Sequence, residues 1–280
     1  MQEFSYFKFE DREELSVAIL GISASNWTST NCKEFSQNRD KVIGLMRENR
    51  YDIIPSKGKS ESIDFYVCTK NWGEYEDQFI EQRKIDKNLD VIYYLTHARD
   101  TLRLMRENNR YFYFLGNHKE ILGLITIADF NDKHFYFWLY KKLVKLEKGL
   151  ADFIQKNTCT SEIIDIIEDF CKKENDDKGY FSSVYGRYQD DKKNGIDTTI
   201  WEYLYLGQFC ELVKTQSLYK KIGLTKSKFE SGLKSVFDIR NQVAHPSKSI
   251  LKSPDDLDTL WKAVDKIEFL TSLLSKNHED

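Results

Sequence analysis

The chain has 280 residues, 40% hydrophobic and 14% aromatic, with 42 basic against 45 acidic side chains and a formal net charge of -3. That length suits one large or two ordinary domains, each able to bury its own core, and 18 Phe with 16 Tyr exclude a disordered chain. A net charge so near zero excludes bulk attraction to nucleic acid or to an anionic membrane, so any phosphate binding must come from locally gathered cations.

The cysteines, Cys32, Cys68, Cys159, Cys171 and Cys210, are odd in number and contain no Cys-x-x-Cys. They point to neither a disulfide framework nor a zinc site, and they fit a reducing cytosol. His97, His118, His134 and His278 form no close ligand set, so no metal is expected. The start of the chain, Met1 to Ser5, lacks a basic segment followed by an apolar one, and no apolar run is long enough to span a bilayer. The expectation is a cytoplasmic protein with no membrane partner.

In chain order, residues 1 to 35 carry the apolar run Val17 to Ile22, which reads as an opening strand. An internal repeat follows. Leu45-Met46-Arg47-Glu48-Asn49-Arg50-Tyr51 recurs 59 residues later as Leu104-Met105-Arg106-Glu107-Asn108-Asn109-Arg110-Tyr111. Each copy closes a helical pattern and leads into a strand, Asp52 to Pro55 and then Phe112 to Leu115, so a pair of βαββα units is the economical reading. After the first copy comes a lysine-rich loop, Ser56 to Ser60, and a strand from Ile63 to Thr69. After the second come the turn signal Gly116-Asn117 and the stretch Ile121 to Phe130, a strand running into a helix start. There Gly123 permits close backbone approach and Asp129 can cap the helix from Asn131 onward.

Gly123, Thr126 and Asp129 meet the Gly-x-x-Thr/Ser-x-x-Asp pattern of CBS domains, and residues 1–148 resemble a tandem pair of them, the second repeat, about 90–148, being the clearer. The resemblance implies a module that senses adenine nucleotides, with Asp129 accepting hydrogen bonds from ribose hydroxyls and Thr126 contacting ribose or phosphate. In the first repeat Thr69 matches Thr126, but Trp72 stands where the Asp would be. A second nucleotide site is therefore not expected there.

Helical periodicity continues over Phe135 to Gln155, Ser161 to Phe170, Thr198 to Gln216 and Pro254 to Ser275. Glu174 to Asp177 and Asp190 to Gly195 read as polar loops. One more helix is predicted from about Lys226 to His245, where Phe229, Leu233, Val236, Phe237, Arg240 and Val243 share a face. Arg240 thus falls near the apolar side, where a guanidinium is costly unless paired or turned to a cleft. Asn241 and His245, four apart, share a face, and Pro246 places His245 at the helix end, from which its ring can swing back toward Arg240. From Glu211 to Lys252 there are nine cations, Lys234 and Lys248 among them, against three carboxylates. This surplus could serve RNA phosphates or only solubility.

Arg240, Asn241 and His245 match, position by position, the Arg-Asn-x-x-x-His motif of HEPN ribonucleases, which residues 149–280 resemble. The resemblance implies an all-α helical bundle that dimerises to join two copies of the motif into a metal-independent RNA-cleaving site. It gives His245 a proton-transfer role, Arg240 that of phosphate clamp and Asn241 that of positioner. The whole chain is then expected to be α+β: an N-terminal tandem CBS (βαββα) module followed by a C-terminal all-α HEPN bundle. On this reading it is an endoribonuclease set by an adenine nucleotide, with no cofactor for catalysis, serving as a toxin or antiviral defence effector. The alternatives are a non-catalytic dimeric nucleotide sensor that binds RNA or protein, and an RNA-modifying enzyme.

Overall fold

The computed structural model describes residues 14–58, 62–117, 119–172, 180–245 and 248–276. The chain is mixed α and β, with every strand in the N-terminal half among the described residues. It divides into two compact units: Met1–Trp138 with Pro246–Trp261, and Leu139–His245 with Lys262–Asp280. The sequence places one boundary at 148; the observed division instead falls between Trp138 and Leu139 and returns the stretch 246–261 to the first unit.

In the first unit, helix α1 (Val17–Leu20) precedes β1 (Ile22–Ser23). The strand expected over Val17 to Ile22 is thus mostly a helical turn. Ser16 caps it by accepting from the Ala18 N–H at 3.3 Å, and only its last residue becomes strand. Next come β2 (Thr30–Asn31), α2 (Cys32–Gln37), α3 (Arg39–Asn49), β3 (Ile53–Lys57), β4 (Ile63–Thr69) and β5 (Ile80–Lys84). These strands form one sheet in the order β2-β3-β4-β5. The second repeat is β6 (Val91–Tyr93), α4 (Ala98–Glu107), β7 (Phe112–Gly116) and β8 (Ile121–Thr126), with sheet order β1-β8-β7-β6. In both, the strand before the helix pairs parallel with the strand after it, and that strand pairs antiparallel with the next.

The repeated sequence encodes a repeated helix stop. Arg50 and Asn109 both adopt a left-handed backbone, at φ 55 and φ 50. The next N–H reaches back to the same place, Tyr51 to Met46 O and Arg110 to Met105 O, each at 2.8 Å. This is the Schellman geometry, and it sets the two following strands in equivalent positions. The repeats diverge after their last shared strand. The second runs through a 3-10 turn, Ile127–Asn131, into the long helix α5 (Lys133–Asn157), so Asp129 lies inside that turn and does not cap a helix from Asn131. The first turns at Asp77–Phe79 and adds β5 against β4, where a βαββα unit has a helix.

Strand alternation explains why both sheets read as continuous apolar runs. Ile54 and Val67 face helix α3, where they join Val42, Ile43 and Met46. Ile53, Tyr66 and Cys68 point the other way and pack against Phe112, Phe114 and Leu124 of the second sheet. The stretch 246–261 is fastened to this unit by Asn131, which donates to Leu251 O at 2.7 Å and accepts from the N–H groups of Ile250 and Leu251 at 2.7 and 3.0 Å.

The described elements of the second unit are helical. The later turns of α5 bury Leu139, Leu143, Leu146 and Leu150 at steps of four and three. There follow α6 (Thr160–Lys172), α7 (Ser182–Lys193), α8 (Leu206–Thr215), α9 (Lys226–Glu230), α10 (Leu233–Val243) and α11 (Asp256–Lys276), the last of which enters the unit at Lys262. Three expectations change here. The polar run 190–195 is largely the end of α7, which stops before Gly195 at φ +74. The helix expected from Thr198 to Gln216 is a 3-10 turn, Ile200–Glu202, then an extended Tyr205, then α8. The helix expected from Lys226 to His245 is broken at Gly232, whose φ of +82 no continuous helix accommodates. Residues 59–60 of the lysine-rich loop, Glu174 to Asp177 and Pro246 lie outside the described residues, whereas Ser56 and Lys57 belong to β3.

Candidate functional site

The expected motif sits at the end of α10. That helix buries Leu233, Val236, Ile239 and Val243, so Ile239 takes the central place on the apolar face and Arg240, one position on, lies half-buried at its border. The Ala244 N–H closes the helix on Arg240 O at 3.0 Å, and the His245 N–H bonds Gln242 O at 3.0 Å. His245 therefore occupies the first bend beyond the helix, exposed, as does Asn241 on the last turn. Arg240 donates to Asn241 Oδ1 at 3.4 Å, which joins two of the three motif residues directly.

What surrounds Arg240 was not legible in the motif. Its guanidinium carbon lies 5.8 Å from the centroid of the Tyr205 ring, within reach of a cation–π attraction. The same ring has the Arg187 guanidinium, from α7, at 5.9 Å, and Arg187 also donates to the Tyr205 hydroxyl at 3.5 Å. Tyr205 is held because its backbone N–H bonds Gln208 Oε1 at 3.1 Å, fixing the extended residue ahead of α8. The next N–H, of Leu206, bonds Glu147 Oε2 of α5 at 3.1 Å. Burial raises the Glu147 carboxyl above its usual range, opposed by that N–H and by the charge of Arg240. The Tyr180 hydroxyl, pushed up to about 12 chiefly by burial, also feels Arg240, which favours its ionised form. A second guanidinium, two tyrosines and one carboxylate thus gather around the motif arginine. The signal for them is only an aromatic residue and an arginine on separate segments, which no spacing rule connects.

Of the two lysines expected to bind RNA, Lys234 is exposed on α10, and Lys248 is exposed in the stretch 246–261, which belongs to the first unit.

The second predicted site is the corner where β8 enters its 3-10 turn. Asp129 accepts from the Thr126 N–H at 2.6 Å and from the Thr126 hydroxyl at 3.0 Å. Both bonds go to one oxygen, Oδ2, and burial, the dominant influence, raises the carboxyl to about 6. Gly123 is required by the fold itself, since a Cβ there would lie 2.6 Å from Ile22 O of the paired strand β1.

The matching corner of the first repeat is filled differently. Asp52, just before the preceding strand β3, accepts from the Thr69 hydroxyl at 3.3 Å and from the Gly73 N–H at 2.8 Å. Trp72 packs edge-on against Tyr111 at 5.5 Å, and the Tyr111 hydroxyl bonds Thr69 O. Beside them a pocket opens between the repeats, lined by Cys68, Thr69, Lys70, Arg83, Arg110 and Tyr111 among others. Arg83 pairs with Glu81, and Arg110 pairs with Asp90 at 2.6 Å. Burial lifts the Cys68 thiol to about 12, so it is inert as a nucleophile.

Among the described residues no group of three His, Cys, Asp or Glu side chains is arranged to hold a metal ion, and no helix is long and apolar enough to cross a membrane.

No family model matches the chain, and no curated protein matches it. A solved structure of the CBS domains of a transcriptional regulator from Streptococcus pneumoniae is similar over 41% of this chain and 95% of its own length, at 16% identity and a TM-score of 0.31. A likeness at that level carries no inference about ligand or activity.

Proposed function

We propose that the chain is a metal-independent endoribonuclease of HEPN type whose activity responds to an adenine nucleotide held by its N-terminal, CBS-like half. The observation that carries this reading is the end of α10, where Arg240 bonds Asn241 and His245 stands exposed at the helix stop. In the reaction the ribose 2′-hydroxyl attacks the adjacent phosphorus and the 5′-oxygen leaves. One histidine takes the hydroxyl proton, a second histidine or water gives one to the leaving oxygen, and a 2′,3′-cyclic phosphate and a 5′-hydroxyl end result. Arg240 holds the phosphoryl oxygens as charge builds on them, and Asn241 orients Arg240. Dimerisation would bring a second His245 to the same phosphate. For the nucleotide, Asp129 has an oxygen, Oδ1, that Thr126 does not use and that can accept from a ribose hydroxyl. A role as toxin or antiviral effector follows if the cleaved RNA is the cell's own.

The test is cleavage of labelled mixed RNA by wild-type and His245→Ala protein in EDTA, with and without AMP, ATP and cyclic oligoadenylate. Cleavage by the wild type alone, leaving 2′,3′-cyclic ends, is expected; cleavage that EDTA abolishes would sink the proposal.

A second reading is a non-catalytic sensor that binds RNA or a protein. It is favoured by the engagement of Arg240 with Tyr205 and Asn241, a geometry that binds phosphate without proton transfer. It predicts unchanged RNA affinity and biological effect in His245→Ala.

A further inference from the structure

Five arginines elsewhere in the described chain, Arg39, Arg83, Arg103, Arg106 and Arg110, each form a salt bridge with a carboxylate. Arg187 and Arg240 form none among the described residues, and both direct their guanidiniums at one tyrosine ring, at 5.9 and 5.8 Å from its centroid. Arg187 is exposed and Tyr205 is 41% exposed, so the arrangement is open to solvent. Two like charges brought to one ring repel each other, and the geometry is disfavoured unless the ring quadrupole and an anion between or beside them compensate. Glu147, a carboxylate that feels the charge of Arg240, also accepts from the Leu206 N–H.

We infer that Arg187, held by Tyr205, is a second phosphate-binding residue of the RNA site, gripping a phosphodiester next to the one that Arg240 engages. The inference rests on the ribonuclease reading for the presence of RNA, and it adds a binding residue from a helix outside the motif. The guanidinium suits the task because it offers a planar pair of donors to two phosphoryl oxygens. Tyr205 is a positioning residue: it limits the rotamers of both arginines and so reduces the entropy lost when the backbone is bound. The chemistry at issue, a phosphate oxyanion, is shared by RNA and by free nucleotides, and the experiment separates them.

The measurement is fluorescence anisotropy of a labelled, single-stranded 2′-O-methyl RNA of about 20 nucleotides, long enough to engage several phosphates, which cannot be cut through its 2′-oxygen. It is titrated with full-length wild type, Arg187→Gln, Tyr205→Leu and Tyr205→Phe over a range of salt, with circular dichroism melts confirming that each variant is folded. Arg187→Gln is expected to bind about tenfold more weakly at low salt, and the slope of log affinity against log salt should fall by about 0.7, one single-strand phosphate contact. Tyr205→Leu should approach the same loss, while Tyr205→Phe, which keeps the ring, should stay within about threefold. Unchanged affinity and slope in Arg187→Gln, with the wild type binding well, would overturn the inference and leave the ribonuclease reading standing. No RNA binding by the wild type would remove the ribonuclease reading and this inference with it. Competition by ATP that disappears in Arg187→Gln would assign the arginine to a free nucleotide instead, which also overturns it.

Discussion

Lys266 lies on α11 and is only 6% exposed. Its ammonium donates to the backbone oxygen of Lys228, in α9, at 2.8 Å and has the rings of Phe229 and Phe269 at 5.9 and 5.5 Å. One carbonyl and two ring faces do not replace the water that such a charge loses. Burial accordingly lowers the Lys266 amine from 10.5 to about 8, against the opposing pull of Cys210 and Asp265. Between these two values the unfolded chain binds the proton and the folded chain does not, so stability rises with pH from about 8 to about 10.5. Below about 8 both states are protonated, and the folded state carries a penalty of about 3 kcal/mol.

Lys266→Met keeps the length and apolar stem and removes the charge. It also leaves Lys228 O without this donor, at a cost of about 1 kcal/mol. The net expectation near pH 7.5 is a gain of about 1–2 kcal/mol, as when buried ions give way to apolar side chains of similar volume. At pH 10 the wild type has shed most of its penalty, and the variant should be the less stable of the two. Urea denaturation of both proteins at the two pH values reads the difference directly, because other groups that titrate there are common to both. A variant less stable at pH 7.5, with a gap that does not change at pH 10, would refute the reasoning and mean that the ammonium is well solvated where it lies.

Other expectations concern the elements that place the sites. Gly232→Ala has ordinary room, with its nearest neighbour the Lys266 stem at 3.5 Å, but it forces a side chain onto φ +82. A loss of about 1–2 kcal/mol is expected in thermal melts, together with weaker cleavage if the break at Gly232 aims α10. Asn131→Ala removes three hydrogen bonds and strands the N–H groups of Ile250 and Leu251, residues 2% and 3% exposed, and should cost about 2–4 kcal/mol by denaturant titration. Asp129→Asn keeps an oxygen that can accept from Thr126 and sheds the charge that burial penalises, so it is expected to be at least as stable as wild type at neutral pH. Since the Asp129 carboxyl is raised from 3.8 to about 6, the folded state binds its proton more tightly, so wild-type stability should fall as pH rises through that window. Asp129→Asn should flatten that slope, as followed by urea midpoints between pH 4 and pH 7.

Much of the architecture was open to sequence reasoning because it is encoded locally. The copies ending at Tyr51 and Tyr111 announce equivalent helix stops, and the left-handed Arg50 and Asn109 confirm that the same backbone signal is used twice. Thr126 and Asp129, three apart at the end of a strand, form a cap from local hydrogen bonds alone, although the sequence pattern assigns the capping to Asp129 and places its helix from Asn131. The long apolar periodicities of α5 and α11 likewise mark helices wherever they pack.

What only the tertiary structure decided depends on partners far apart in the chain. The run Val17 to Ile22 reads as strand by propensity, yet Ser16 caps a helical turn there, and the two residues of β1 find their partner in β8, a hundred residues later. Residues 80–84 became a strand because β4 offered an open edge, not because their own pattern demands one. Periodicity places Arg240 near the apolar face, and in α10 it lies half-buried at the border of the face that Leu233, Val236, Ile239 and Val243 bury, while the break at Gly232 separates Phe229 from that helix. The ring that joins Arg240 to Arg187 comes from Tyr205, an extended residue within what the pattern reads as one helix. Local hydrogen bonding writes caps, stops and periods into a sequence; which charged side chains end up around one another is set by packing between elements, and no short window of residues contains it.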